Sequence, residues 1–184
     1  TVGVFDLNTG KTVYLKAGDP TDRYFTNIAW SADGSKVYMF ELNRDQNDSR
    51  LTCYDAQTGE KSGELYRETD EKYVEPQNPI MFLPWDSSTF IMQSRCDGYN
   101  RLYLCSIGKH GSRMAGNTES VDIKPLTQGE WEVFEVVGFN ARRKSVIITG
   151  NALSPIQKNV FMVDCVTGKR TLIDANGEAG TVPR

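Results

Sequence analysis

One turn recurs three times along the chain: Asp6-Leu7-Asn8-Thr9-Gly10-Lys11, Asp55-Ala56-Gln57-Thr58-Gly59-Glu60 and Asp164-Cys165-Val166-Thr167-Gly168-Lys169 all read Asp-x-x-Thr-Gly-charged. The first two copies stand about 50 residues apart and the third follows after about twice that interval, so one degenerate copy is skipped, where Ser106-Ile107-Gly108-Lys109 stands. A turn that returns at a fixed place in a fixed period makes the chain a repeat of one supersecondary unit. A Greek-key sandwich of similar strand number has no reason to repeat one turn in this way, and is the weaker alternative.

Between the turns the sequence consists of short apolar or alternating runs, and no window of a dozen residues carries a stripe at helical spacing. The first complete unit runs Phe25 to Trp30, where Phe25, Asn27 and Ala29 alternate with Thr26, Ile28 and Trp30, then Lys36 to Leu42, Arg50 to Tyr54 and Ser62 to Arg67. The second runs Pro79 to Pro84, Thr89 to Ser94, Arg101 to Cys105 and Val121 to Leu126, with residues 112–120 lengthening an outer loop. Val133 to Phe139, Ser145 to Gly150, Asn159 to Asp164 and Arg170 to Asp174 make the third. Asp33-Gly34 and Asp97-Gly98 supply the positive φ that tight reversals need. Four-stranded units of this length are the mark of propeller blades. The expected fold is all-β: a partial β-propeller of about three four-stranded antiparallel blades at residues 25–69, 79–128 and 131–175. Residues 1–16 would be the outer hairpin of a preceding blade.

Chemistry is scarce by comparison. The 184 residues carry a net charge of −3 with both signs mixed, which gives no basic stripe for nucleic acid, so no nucleic-acid partner is expected. Apolar runs such as Ile80 to Leu83 are far shorter than the roughly 20 residues of a membrane-spanning helix. The start at Thr1-Val2-Gly3 and the polar end at Pro183-Arg184 read as a section cut from something longer, so targeting signals are not legible here.

A Ser-His-acid triad would have to use the single histidine, His110, in the glycine-rich stretch Gly108-Lys109-His110-Gly111-Ser112, read as an exposed turn. No Gly-x-Ser-x-Gly elbow occurs to supply the nucleophile. Cys53, Cys96, Cys105 and Cys165 lack zinc-knuckle spacing and are expected as small hydrophobes on buried strand faces; a hairpin closed at Asp97-Gly98 would put Cys96 opposite Arg101. The acidic residues Glu68, Asp70, Glu71 and Glu75 lack the ligand spacing of a calcium loop and read as a charged connection between blades. Phe90, Tyr99 and Tyr103 read as packing, and Trp131 as buried at a blade junction with Glu130 and Glu132 pointing outward. No catalytic residue, metal or cofactor is expected in the chain.

Three segments together carry a resemblance. Ser94-Arg95-Cys96-Asp97-Gly98-Tyr99-Asn100-Arg101-Leu102-Tyr103 resembles the Ser-x-x-Asp-Gly-aromatic-x-His-Leu-Tyr hairpin of the dipeptidyl peptidase IV family, with Arg101 where the family often has His and Arg95 where it often has Glu. Leu126-Thr127-Gln128-Gly129-Glu130-Trp131-Glu132-Val133 is similar to the family's Leu-Thr-x-Gly-x-Trp-Glu-Val segment, which closes one blade and opens the next. Ile28-Ala29-Trp30-Ser31-Ala32-Asp33-Gly34 is similar to its blade opening, a motif common to many propellers.

The resemblance implies an eight-bladed propeller capping a C-terminal α/β-hydrolase domain that carries the triad, with the substrate's amine held by a glutamate pair on an insertion before Thr1. It implies a serine peptidase that releases Xaa-Pro or Xaa-Ala dipeptides from peptide substrates, a homodimer, and a place in the periplasm or at the cell surface. A family loop that reaches the cavity with an aromatic and an arginine aligns near Tyr73-Val74-Glu75-Pro76, which makes Tyr73 and Glu75 the candidate cavity residues, although no arginine stands there. This section would then restrict access to the cavity and support dimer contacts. The alternative is a propeller binding or scaffold module without a hydrolase domain.

Overall fold

In the computed structural model the described residues are 1–112, 121–173 and 179–180, the side chains of 109–112 and 179–180 aside. Every element among them is a strand or a turn. A hairpin of β1 (Gly3–Phe5) and β2 (Thr12–Tyr14) comes first. The first sheet follows as β3 (Arg23–Trp30), β4 (Lys36–Asn43), β5 (Asp48–Asp55) and β6 (Lys61–Thr69). The second holds β7 (Met81–Leu83), β8 (Asp86–Ser94), β9 (Arg101–Ser112) and β10 (Val121–Pro125). The third holds β11 (Val133–Asn140), β12 (Ser145–Gly150), β13 (Asn159–Asp164) and β14 (Arg170–Ile173), with the two-residue β15 (Ala179–Gly180) added at its edge. Each sheet is an antiparallel meander in chain order.

The repeated turn is built identically each time, which explains its sequence. Asp6 Oδ1 accepts the amides of Asn8 and Thr9, Asp55 Oδ1 those of Gln57 and Thr58, and Asp164 Oδ1 those of Val166 and Thr167. The glycine then turns with φ of 68° at Gly10, 74° at Gly59 and 73° at Gly168, and its amide donates back to the aspartate carbonyl. A side chain with Cβ is disfavoured in that region, so the aspartate and the glycine are both required.

The sheets face one another, and the three apolar clusters lie between neighbours. On β4, Val37 and Met39 pack with Tyr54 and Leu15 against the first hairpin, whereas Tyr38 and Phe40 pack with Phe90 and Met92 of the second sheet. Ile91 and Leu102 of the second sheet meet Ile148 and Phe161 of the third and Trp131 of the connection between the two. A strand buried on both faces reads as a continuous apolar run, as Val37 to Phe40 does. Burying a side chain the size of Phe90 or Phe161, 1% and 0% exposed, contributes about 1.5–3 kcal/mol.

Local details depart from the sequence reading. The strand over residues 25–30 does not alternate evenly: Thr26 pairs with Phe40 and Ala29 with Tyr38, and Asn27 stands at φ 53° in the bulge between them. The Asp97-Gly98 reversal is wider than a hairpin closed at Cys96, since Ser94 is the residue opposite Arg101. β9 runs on through His110 to Ser112 where a turn is expected, while residues 113–120 of the lengthened loop lie outside the described residues.

Candidate functional site

The connection from β6 to β7 carries both candidate cavity residues. Tyr73 is 60% exposed and Glu75 is exposed, while Val74 between them is buried. The backbone of the connection is tied to elements on either side. Val74 N–H donates to Gln46 O at 2.7 Å and Asp70 N–H to Asn47 O at 3.1 Å, both in the turn between β4 and β5. Asn27 Nδ2 donates to Pro76 O at 2.5 Å, Asn100 Nδ2 to Gln77 Oε1 at 3.1 Å, and Asn78 hydrogen-bonds the Gln93 side chain. Tyr73 and Glu75 therefore project from a fixed segment.

Asn100 joins three elements at this end of the sheets. Besides Gln77, its Nδ2 donates to Val133 O at 2.6 Å, and its amide donates to Glu132 Oε2 at 2.7 Å. Glu132 also pairs with Arg95 at 3.5 Å, so it points into this junction rather than outward. Trp131 is buried as expected: its Nε1 donates to Gln128 O at 2.6 Å, and Arg170 covers its ring at 4.8 Å from the centroid. Arg101, at the position where the family often has His, is buried, paired with Asp97 and stacked over Tyr99 at 5.2 Å.

A second polar group lines a cleft of about 280 Å³ on the first sheet, between Asp19, Arg23, Glu41, Asp48 and Lys61. Its floor is Glu41, 5% exposed, which accepts from Tyr54 OH and from Arg23 at 2.9 Å and faces Lys61 at 3.5 Å. Burial alone would raise the Glu41 pKa, but the Tyr54 hydroxyl and the charges of Lys61 and Arg23 outweigh it and hold the carboxyl below its ordinary value. Tyr54 moves the other way, its pKa raised by burial and by the Glu41 hydrogen bond. At the cleft's rim Arg67 and Arg50 both bond Asp48, whose pKa falls to about 2 despite some burial.

The acidic residues of the connection do not form a cluster with one purpose. Glu68, the penultimate residue of β6, accepts from Ser94 Oγ at 2.6 Å and from Tyr66 OH at 3.2 Å, whereas Asp70 accepts the Lys72 amide at 2.7 Å. Among the described residues no group of three His, Cys, Asp or Glu side chains could hold a metal. All four cysteines are free. Cys53, Cys105 and Cys165 are buried as the sequence suggests, but Cys96 is exposed, since it lies in the reversal and not on a strand, with Sγ 3.0 Å from Tyr103 OH. The side chain of His110 lies outside the described residues. Asn27, Asn100 and Glu41 were not singled out by sequence. None of the three carries a sequence signal of its role, because the partners of each stand far along the chain.

Comparison with known proteins agrees with this architecture. Residues 1–182 match the family described as the dipeptidyl peptidase IV N-terminal region. The chain is 24% identical over 182 residues to the "probable dipeptidyl peptidase 4" of Emericella nidulans, covering 94% of this chain and 22% of that protein. It is 25% identical over 138 residues to the inactive dipeptidyl peptidase 10 of Rattus norvegicus, covering 75% of this chain and 17% of that protein. A crystal structure of a Bacteroides ovatus protein of dipeptidyl aminopeptidase IV type superposes with a TM-score of 0.78 at 42% identity, over 94% of this chain and 27% of that one. The chain thus spans about a quarter or less of the length of these relatives. With its all-β sheets, its repeated turns and a match over nearly its whole length, the chain belongs to the dipeptidyl peptidase IV N-terminal region family.

Proposed function

We propose that this chain is the non-catalytic propeller section of a serine dipeptidyl peptidase, in which a hydrolase domain elsewhere in the full-length protein releases Xaa-Pro or Xaa-Ala dipeptides. The observation that carries the reading is the match of residues 1–182 to the family's N-terminal region in a sequence with no Gly-x-Ser-x-Gly elbow and one histidine. The propeller's part is to restrict the cavity to peptide ends, with Tyr73 and Glu75 on its wall, and to support a homodimer at the cell surface or in the periplasm. The test is release of the chromophore from a Gly-Pro chromogenic substrate. The full-length protein should cleave it and the 184-residue chain alone should not. Cleavage by the chain alone would overturn the reading.

A second reading has one observation in its favour. A relative that aligns over three quarters of the chain is named as inactive, so a similar section can stand in a protein named for its lack of peptidase activity. A full-length protein that neither cleaves the substrate nor reacts with a fluorophosphonate probe would establish that reading.

A further inference from the structure

We infer that Asn27 is a positioning residue: its side-chain amide clamps the connection 70–80 and so fixes where Tyr73 and Glu75 stand. Asn27 occupies the bulge of β3, where it and Ile28 together oppose Met39. Its φ of 53° lies in the left-handed region, which carries a penalty of about 1–2 kcal/mol for a residue with Cβ, less for Asn than for most. A strained, irregular residue in an otherwise regular strand persists where the surroundings require it. Here the bulge turns the Asn27 side chain out of the strand's alternation and brings Nδ2 to Pro76 O at 2.5 Å, across a separation of 49 residues.

Pro76 lies between the other anchors of the connection. Val74, two residues before it, is buried and bonded to Gln46; Gln77 and Asn78 after it are bonded to Asn100 and Gln93. The Val74 and Gln77–Asn78 anchors bracket the exposed Glu75, and Asn27 holds the carbonyl between them. That amide is the bond that ties β3 to the segment between Val74 and Gln77.

Two substitutions separate the amide from the backbone. Asn27→Gly keeps the left-handed conformation at ease and loses the donor; Asn27→Asp keeps the shape and puts a carboxylate oxygen against the carbonyl. Both are made in the full-length protein and followed by hydrogen exchange of peptides covering 70–80. Exchange there should rise about fivefold in both variants, the factor expected for one net hydrogen bond, with β4 and β5 unchanged. Unchanged exchange in the connection, a rise spread evenly over β3 to β6, or a rise in Asn27→Gly alone would each overturn the clamp.

The catalytic consequence rests on the proposed role of Tyr73 and Glu75, and is read separately. A displaced cavity wall raises KM for a dipeptide substrate severalfold and leaves kcat unchanged, because ground-state contacts are lost and the chemistry is untouched. Local exchange that rises with KM unmoved would leave the clamp in place and overturn the placing of Tyr73 and Glu75 at the substrate.

Discussion

Gly59 passes so close beneath the carbonyl of Tyr14 that a Cβ at position 59 would collide with that oxygen. The same turn recurs against the next neighbour, where a Cβ on Gly168 would lie 3.1 Å from Leu126 O. The Thr-Gly turns at Gly59 and Gly168 are therefore both the reversal within one sheet and the seat for the end of the sheet before it, whereas the turn at Gly10 meets no such neighbour. The amide of Lys16 donates to Gly59 O at 2.8 Å and completes that seat.

Gly59→Ala should therefore destabilise far more than Gly10→Ala. Both residues have positive φ, and both variants lose about 1 kcal/mol to that. Only Gly59 has backbone in the way; Gly10 has nothing within 4 Å of the added carbon. Displacing a packed neighbour adds about 1–3 kcal/mol. Denaturant midpoints of the two variants measure the difference, and equal losses would show that the seat is not tight.

Asp48 gives the first sheet a stability term that depends on acid. Its folded pKa of about 2 lies below the ordinary 3.8, through Arg67 first and Arg50 after it. A depressed carboxyl stabilises the fold fully above its unfolded pKa and loses that contribution as pH falls through the folded one. The wild type should lose stability between about pH 4 and pH 2 more steeply than Asp48→Asn, which lacks the titrating group. Urea midpoints across that window would settle it, and parallel curves would remove Asp48 as the source.

Much of this architecture was legible because it rests on local rules. The Asp-x-x-Thr-Gly turns and the apolar runs such as Val37 to Phe40 each obey a period or a backbone preference that a sequence states directly. The bulge at Asn27 was not legible, since Phe25 to Trp30 reads as clean alternation and the amide's partner, Pro76, stands far along the chain. Glu41 was hidden for the same reason: Tyr54, Arg23 and Lys61 converge on it only once four strands are paired. The width of the reversal at 95–100, which exposes Cys96, likewise depends on Asn100 being held by Glu132 and Val133.

Thiol chemistry should distinguish that exposed cysteine from the rest. Burial pushes the Cys165 thiol up to about 11 and the Cys105 thiol higher still, and thiols of raised pKa and no access are inert. Cys53 is 1% exposed. One equivalent of an aromatic disulfide reagent on the native protein should label Cys96 alone, read by peptide mass spectrometry, and the other three should react only in denaturant. Early labelling of Cys105 would contradict the packing of the second sheet on the first.

The 184-residue chain studied by itself should self-associate. In the first hairpin Val4 and Val13 turn toward the first sheet, which leaves Phe5 at 58% and Tyr14 at 63% exposure on the opposite face. The third sheet is packed on one side by the cluster around Trp131 and Phe161, yet Val137 stays 57% and Val160 38% exposed. Strands of a soluble sheet normally cover such a face or charge it, and among the described residues Phe5, Tyr14, Val137 and Val160 stay uncovered. Both bear apolar side chains on pleated surface, so copies can stack hairpin to third sheet, a heterologous contact that does not close on itself. Light scattering should then show mass rising with concentration, and Phe5→Lys together with Val137→Lys should return the chain to a monomer without lowering its denaturant midpoint. A wild-type chain that stays monomeric at high concentration and binds no apolar dye would show that these faces are satisfied in some other way, and would argue against open sheet faces at both ends.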